Sequence, residues 1–373
     1  MERRALALAA PLALGLLACN LDLPSEYRIE DLRVLDLQVE PPEVSVFEPS
    51  GTGTTALSFD PMNPPPIAHQ PVRVRALVAH PDLAASFEYD WIRCKPGLDR
   101  VPCDGTLASA LVPERTAEMS FTPIDVLFAD VTGGTKLEDL AAALAEDPRD
   151  LLNGLYAYVN LQAGVGQASI AVDTQRIQAT KRIVVFDPRV VALALEQARA
   201  LDPSQIPMGA GLPTLCAGVS DAQLALLNGF LASREPNRTP RMLGVSVVIT
   251  HLDGSITATI TSAEGSVLDL EDTDLVTLEG LPTSSAAEPY GLIDANCLLQ
   301  TFTERLAFSW FISAGGLSRQ ITTPEDTMTR YDLPRQSALA GSLVRTRVWV
   351  VLRDGRGGSS HGAIDFRIRR PPS

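Results

Sequence analysis

The feature that most constrains the fold is an order of strand-like segments that occurs twice. Each copy has an alternating apolar segment, a segment with the pattern aromatic-x-Trp, a β-rich run that ends in Gly, and a closing strand. In the first half these are Val72–Ala79, Phe87–Ile92, Leu155–Gly164 and Ala168–Val172. In the second half they are Leu275–Leu281, Leu306–Phe311, Arg347–Gly355 and Ala363–Ile368. A repeated order of this kind predicts two related units rather than one large fold.

The tryptophans indicate what each unit is. Trp91 and Trp310 occupy the same place in the two copies, and a Trp in the middle of a strand can bury its ring between two packed sheets. We therefore expect a mainly β protein with two immunoglobulin-like (PKD-like) β-sandwich domains, with Trp91 and Trp310 in their cores. Gly164 and Gly355 are expected to supply the positive φ that a tight hairpin needs.

Three helical patterns interrupt the strands. Thr135-x-x-Glu138 is a capping box and predicts a helical insertion near residues 135–153. Asp187-Pro188 and Ser220-x-x-Gln223 predict the starts of two more helices. The expected domains are a first sandwich over 28–187, a short helical connector over 188–238 and a second sandwich over 239–373.

The N-terminus predicts export and lipidation. Charged residues precede an apolar run that is too short to span a membrane, as in a secretory signal peptide over residues 1–18. The run ends in Leu16-Leu-Ala-Cys19, which is similar to the bacterial lipobox, so Cys19 is the expected lipidation site and 19–27 the lipidated tether. Multiple acyl chains give stable attachment. The alternative is an ordinary signal peptide with an incidental Cys. Asn20, which is not Asp, favours the outer membrane, with the domains on its periplasmic face or at the cell surface.

The remaining cysteines predict disulfides. An exported protein reaches an oxidising compartment, and four cysteines remain once Cys19 is acylated. Three pairings are possible, and proximity favours Cys94 with Cys103 and Cys216 with Cys297. The second pairing would fasten the connector to the second sandwich.

Charge and motifs exclude several classes of function. The formal net charge is −14, only three lysines occur, and no basic stripe is visible, so we expect no nucleic-acid partner. The sequence contains no zinc-protease, nucleophile-elbow, phosphate-loop or dinucleotide motif, so no cofactor is expected.

Three small clusters of polar residues contain residue types that can carry chemistry. Ser359, Ser360, His361 and Asp365 contain the residue types of a catalytic triad, but neighbouring side chains in a hairpin alternate faces, so no catalytic residue is expected. Arg353, Asp354 and Arg356 are expected to close a turn by local salt bridges. The acidic residues Asp269, Glu271, Asp272 and Asp274 are weak calcium candidates, and a solvated turn is the preferred interpretation.

Several segments together carry a resemblance to a family. They are the lipobox, Glu40-Pro-Pro-Glu-Val44, Tyr89–Cys94, Asn237-Arg-Thr-Pro240, Phe308–Phe311 and Val350–Gly358. The chain resembles cell-envelope lipoproteins of gliding soil bacteria whose domains belong to the PKD and immunoglobulin-like class. The resemblance covers most of the mature chain and implies an envelope location and a β-sandwich fold. It implies no catalytic residue and no particular ligand.

Three functions are compatible with these observations. The favoured hypothesis is a membrane-anchored, non-enzymatic envelope protein that binds another protein or a polysaccharide or has a structural role. The second is a glycan-acting hydrolase with paired carboxylates, which would need a cleft lined by aromatic side chains. The third is an accessory subunit of a secretion or adhesion complex, which would expose an apolar stripe on residues 189–201 or 220–233.

Overall fold

The described part of the protein is mainly β-structure. A computed structural model describes residues 26–48, 57, 65–94, 110–112, 115–127, 152–166, 176–200, 219–261, 266–294, 296–334 and 343–369. Within these residues, strands form four sheets of three to five strands and one separate hairpin, and helices are few and short. The expected fold class, β-sandwich with immunoglobulin-like character, is confirmed.

The first unit consists of two sheets. Sheet I has the strand order β1-β3-β6, and sheet II has the order β2-β8-β7-β4-β5. The strands are β1 (Arg33–Glu40), β2 (Glu43–Val44), β3 (Val72–Ala79), β4 (Phe87–Cys94), β5 (Ala110–Val112), β6 (Glu118–Phe121), β7 (Leu155–Val165) and β8 (Arg176–Val185). The short helix α1 (Pro123–Leu127) follows β6.

The second unit also consists of two sheets. Sheet III has the order β10-β9-β12-β18-β16, sheet IV has the order β11-β20-β19-β15-β17, and β13 pairs with β14 in a separate hairpin. The first six strands are β9 (Met242–Thr250), β10 (Ile256–Thr261), β11 (Ser266–Glu271), β12 (Leu275–Pro282), β13 (Pro289–Ile293) and β14 (Leu299–Thr303). The other six are β15 (Ala307–Ile312), β16 (Gly316–Leu317), β17 (Ile321–Thr322), β18 (Met328–Asp332), β19 (Leu343–Arg353) and β20 (Ser359–Arg369).

Eight strands of each unit share one topology, and β10 and β16 extend sheet III beyond it. The order β1-β3-β6 in sheet I corresponds to β9-β12-β18 in sheet III, and β2-β8-β7-β4-β5 in sheet II corresponds to β11-β20-β19-β15-β17 in sheet IV. In both units the only parallel pair among the described strands joins the first strand of the second sheet to the last strand of the unit. The repeat seen in the sequence is therefore a repeat of sandwich topology.

Each core contains one of the two tryptophans. Trp91 in β4 and Trp310 in β15 are fully buried, each among apolar side chains from both sheets of its unit. The indole Nε1 of Trp91 donates to the carbonyl of Thr116 at 2.8 Å, and that of Trp310 donates to Oγ1 of Thr322 at 2.9 Å. A buried indole needs such an acceptor for its N–H group.

Two helices connect the sandwiches, beginning where the sequence indicates. Helix α2 (Pro188–Ala200) follows Asp187, whose carboxylate accepts the backbone N–H of Arg189 at 2.9 Å. Helix α3 (Asp221–Ser233) follows Ser220, whose hydroxyl caps Gln223. Their buried side chains form a cluster with the β13–β14 hairpin: Val191, Ala192 and Leu195 of α2, Leu224, Leu227 and Leu231 of α3, Ile293 and Cys297.

The structure differs from the sequence expectations at Gly164. This residue does not make a turn, because it lies inside β7 and pairs with Arg176, and its φ is not positive. Gly355 has φ +80°, as expected. The closing strand of the first unit is β8, while the segment expected to close it, Ala168–Val172, lies outside the described residues. The helical insertion near 135–153 also lies outside them except for its last two residues, which are helical.

Candidate functional site: the junction between the two sandwiches

The outer faces of sheets I and IV are packed against each other. A cluster of buried side chains contains Ile29, Leu35 and Ala79 from the first unit and Trp349 and Val351 from the second. Trp349 is only 3% exposed. Burying an aromatic side chain of this size in an interface excludes water from a large apolar area. The two sandwiches therefore share a hydrophobic layer, which we call the junction.

Strand β19 explains how the second unit supplies this layer. Val348, Val350 and Leu352 belong to the core of the second sandwich, whereas Trp349 and Val351 belong to the junction. Successive side chains of a strand point to opposite faces, so an uninterrupted apolar run is expected only where both faces are covered. The sequence Val348-Trp-Val-Val-Leu352 is such a run.

The N-terminal segment also crosses the junction. The N–H of Ile29 donates to the carbonyl of Ile312 at 2.8 Å, and the N–H of Ile312 donates to the carbonyl of Tyr27 at 3.0 Å. The ring of Tyr27 lies 5.7 Å from that of Phe311. The chain is therefore hydrogen-bonded to the second sandwich before it enters β1 of the first.

A buried carboxylate joins the two units and the connector. Glu43 in β2 is bound through both of its oxygens by Arg234, which directly follows helix α3, with one Nη2–Oε2 distance of 2.9 Å. Arg356, in the β19–β20 turn, approaches the same carboxylate at 3.6 Å and forms a second ion pair with Glu304 at 2.9 Å. The side chain of Glu43 is only 4% exposed. A buried charge is tolerated only when it is paired, so this carboxylate requires its arginines.

The β19–β20 turn is shaped around Asp354. Its carboxylate accepts the backbone N–H groups of Arg356 at 2.7 Å and Gly358 at 3.0 Å. The amide of Asn237 donates to it at 3.4 Å. Burial raises the pKa of Asp354, and burial also raises the pKa of Glu304. A Cβ at Gly358 would lie 2.2 Å from Oδ2 of Asp354 and 2.8 Å from Cδ of Pro240, so a side chain at this position would displace the carboxylate or the proline.

A second polar group lies between sheets I and IV. Arg353 donates to the carbonyl of Leu35 at 2.8 Å, and Nδ1 of His361 lies 3.5 Å from Oδ2 of the buried Asp36. Burial lowers the pKa of Lys181 in the neighbouring strand β8, while the charge of Asp36 raises this pKa and that of Arg353 lowers it. Charged groups from both units thus face one another at the junction.

These contacts change the interpretation of two sequence clusters. Arg353 and Arg356 do not close the turn by local salt bridges, because their partners come from distant parts of the chain. Asp365 does not orient His361, because both of its oxygens are bound by Arg347 at 2.5 and 2.7 Å. His361 instead faces Asp36 of the first unit.

The acidic segment at 269–274 is divided among several contacts. Asp269 pairs with Arg367 at 2.9 Å, and Asp274 accepts the N–H of Glu271 at 2.8 Å and lies 2.9 Å from Nδ1 of His251. No group of three or more metal-ligating side chains occurs in the part of the chain that the structure describes. The four carboxylates proposed as calcium candidates, Asp269, Glu271, Asp272 and Asp274, are therefore not arranged around one point.

The cysteines are described in part. Cys94 and Cys297 are buried, and neither carries a free thiol. The carbonyl of Cys297 accepts a hydrogen bond from Gln223 of helix α3 at 3.2 Å, so this residue lies against the connector. Cys19, Cys103 and Cys216 lie outside the described residues, and the pairings Cys94–Cys103 and Cys216–Cys297 stay predictions.

Two open cavities lie at the rim of the junction. One of about 430 Å³ is lined by Glu40, the Pro41-Pro42 turn, Asn237, Arg238 and Glu288, among others, with no aromatic side chain. The other, of about 500 Å³, lies between the β3–β4 connection and strands β11, β19 and β20. Both combine charged and apolar walls.

Sequence reasoning did not identify the junction, although a signal for it was present. Glu43, Asn237 and Asp354 lie in three of the segments that carry the family resemblance, and the structure brings these segments together. Each segment is separated from the others by more than one hundred residues. The sequence shows that each of these segments is distinctive, but it does not show that they lie close together in the fold.

Comparisons with known proteins add little to this picture. No protein-family model and no curated protein matches the chain. The crystal structure of murine CEACAM1b is 11% identical, with a TM-score of 0.17, over 91% of this chain and 96% of that one. A structure of a 1.5-MDa bacterial ice-binding adhesin, described for its host cell surface retention, is 10% identical, with a TM-score of 0.18, over 92% of this chain and all of that one. Scores this low carry no argument, so the immunoglobulin-like fold is established by the sheets themselves.

Proposed function

We propose that the protein is a cell-envelope lipoprotein, anchored to the outer membrane through acylated Cys19, whose two sandwiches act as one rigid, non-catalytic body that binds or supports an envelope protein or polysaccharide. The observation that carries this proposal is the junction. Its charged groups pair with one another across the two units, as Glu43 does with Arg234 and Arg356. Charged side chains that pair with one another in this way stabilise the arrangement of the two sandwiches.

The N-terminal contacts support the anchoring part of the proposal. Tyr27 and Ile29 are hydrogen-bonded to Ile312, so the chain is attached at the junction from Tyr27 onward. Eight residues lead from Cys19 to Tyr27, and an extended chain of that length reaches at most about 28 Å. An acylated Cys19 would therefore hold the junction close to the bilayer. Within the described residues, no helix is long and apolar enough to cross a membrane.

The structure gives less support to a glycan hydrolase. The cavity of about 430 Å³ does contain two glutamates, Glu40 and Glu288. Its walls carry no aromatic platform, however, and Glu288 lies 3.8 Å from Nε of Arg238. We therefore favour binding over hydrolysis.

An accessory subunit that docks through the connector is also less well supported. In the described turns of α2 and in α3, the apolar side chains pack inward against each other and the β13–β14 hairpin. Leu226 is exposed, but a single exposed leucine is common on protein surfaces. The buried apolar side chains in the described part of the connector therefore pack within the protein and do not form an exposed stripe.

Lipid anchoring is tested by labelling. Cells that express the full-length chain are grown with a clickable fatty acid, and Cys19→Ser is compared with the wild type and with Ser25→Ala as a matched tether control. We expect label and membrane fractionation for the wild type and Ser25→Ala, and loss of both for Cys19→Ser. Equal labelling of Cys19→Ser would refute the anchor, and so would an unlabelled wild type.

A further inference from the structure

The larger cavity at the rim of the junction contains an arginine that the fold does not use. Arg345 in β19 lines the cavity of about 500 Å³ together with Arg347 and Arg367. Arg347 is bound by Asp365, and Arg367 is bound by Asp269. Within the described part of the chain, Arg345 has no carboxylate within ion-pair distance, although it stands opposite Arg367 across the β19–β20 pair.

The surplus positive charge is local and contrasts with the rest of the chain. The formal net charge of the protein is −14, whereas this cavity is lined by three arginines and two aspartates, Asp82 and Asp365, so its lining carries one more positive than negative group. Nε of Arg367 also has no acceptor, which shows that Asp269 does not use all of its donors. Guanidinium groups bind carboxylates and phosphates with paired, directional hydrogen bonds.

The opposite wall of the cavity is formed by the β3–β4 connection. This connection contributes the apolar residues Pro81, Leu83 and Ala84 and the carboxylate of Asp82, while the apolar Val267 of β11 lies beside Asp365 on the same wall as the arginines. The connection is fixed by hydrogen bonds from the N–H of Ala84 to Asp82 at 2.9 Å and from the N–H of Asp82 to His80 at 3.1 Å. Leu83 packs against the apolar layer of the junction. The shape of the cavity is therefore set by both sandwiches together.

We propose that this cavity is a binding site for a small amphipathic anion, in which Arg345 and Arg367 hold a phosphate or carboxylate group and Leu83 and Val267 contact its apolar part. The proposal does not depend on the acylation of Cys19, because the cavity is formed by the two sandwiches alone. A ligand here contacts both units and so stabilises the junction.

The test is calorimetric titration of the purified full-length protein with hexyl phosphate, hexanoate, hexanol and inorganic phosphate. We expect hexyl phosphate and hexanoate to bind and hexanol to fail. Inorganic phosphate is expected to bind more weakly than hexyl phosphate, because it lacks the apolar part. Dihexanoyl phosphatidylglycerol, added below its micelle concentration, distinguishes a lipid headgroup from a soluble anion as the source. Failure of both hexyl phosphate and hexanoate to bind would overturn the proposal.

Two substitutions move the affinity in opposite directions. Arg345→Gln removes the unpaired cation and is expected to weaken hexyl phosphate binding about tenfold. Asp365→Asn releases Arg347 and is expected to tighten binding about threefold. Arg330→Gln, an exposed arginine on sheet III that does not line the cavity, is the control for net charge and should bind as the wild type does. If Arg345→Gln and Arg330→Gln weaken binding equally, the effect is one of overall charge and the proposed site is wrong.

Discussion

The second sandwich has two outer faces that differ in what covers them. Sheet IV packs on the first unit, so Trp349 and Val351 of β19 are buried. Sheet III carries apolar side chains on its outer face as well, but Ile256 and Ile260 of β10 are each 67% exposed. One face of the same sandwich is thus part of a core and the other is a surface. Apolar composition alone does not distinguish them, whereas apolar continuity along the strand does.

The largest expected effect separates these two faces. Trp349→Ala should lower the free energy of unfolding by about 3–5 kcal/mol, because it removes a buried ring and leaves a cavity between the sandwiches. Ile260→Ala, on the exposed face, should change it by less than about 0.5 kcal/mol. Denaturant unfolding followed by circular dichroism measures both. Similar losses for the two variants would mean that the junction is not a buried layer.

The next effect compares a buried ion pair with an exposed one. Glu43→Gln leaves Arg234 and Arg356 without their shared carboxylate and should destabilise the protein by about 3 kcal/mol. Glu235→Gln breaks an exposed pair with Arg238 and should cost less than about 0.5 kcal/mol. Denaturant unfolding at low and high salt distinguishes them further, since salt screens exposed charges far more than buried ones. A Glu43→Gln protein as stable as Glu235→Gln would contradict the role assigned to Glu43.

A smaller effect concerns pH and again compares the junction with an exposed turn. Burial raises the pKa of Asp354 above its ordinary value of 3.8, so the folded state binds this proton more tightly than the unfolded chain does. The stability that this proton contributes is therefore lost as pH rises from 3.8 through the raised pKa. Asp354→Asn should reduce this fall in stability, as measured by unfolding over a series of pH values.

Asp253 supplies a control of opposite sign. Hydrogen bonds from the side chain and backbone of Ser255 lower the pKa of this exposed carboxyl in the β9–β10 turn. Its contribution is present above the ordinary pKa of 3.8 and is lost as pH falls through the lowered value. Asp253→Asn should therefore leave the fall above 3.8 unchanged. If Asp253→Asn reduces that fall as much as Asp354→Asn does, Asp354 does not cause it.

Much of the fold could be predicted because its signals are local. The alternating segment Val72–Ala79 has the same first and last residues as β3. The Asp187-Pro188 and Ser220-x-x-Gln223 patterns lie at the starts of α2 and α3. The tryptophans indicated the two units because a buried indole needs two sheets around it. Gly164 misled because glycine inside a strand and glycine at a hairpin turn have the same sequence signal.

The junction could not be predicted because its contacts are distant in sequence. Arg234 and Glu43 are 191 residues apart, and Arg353 and Leu35 are 318 residues apart. No local sequence pattern indicates that the outer face of sheet I packs on that of sheet IV. The apolar run around Trp349 indicates only that both faces of β19 are covered. The prediction that Arg353 and Arg356 act locally was wrong for this reason.

If the two sandwiches form one rigid body, the distance between them has a single value, and this distance can be measured. Spin labels at Gln178→Cys on sheet II and Ala258→Cys on sheet III, which are both exposed, report the separation of the units by pulsed electron resonance. A rigid junction gives one narrow distance distribution for the protein that carries only the two labels, and a broad distribution when Trp349→Ala is added. A broad distribution without the Trp349 substitution would contradict it.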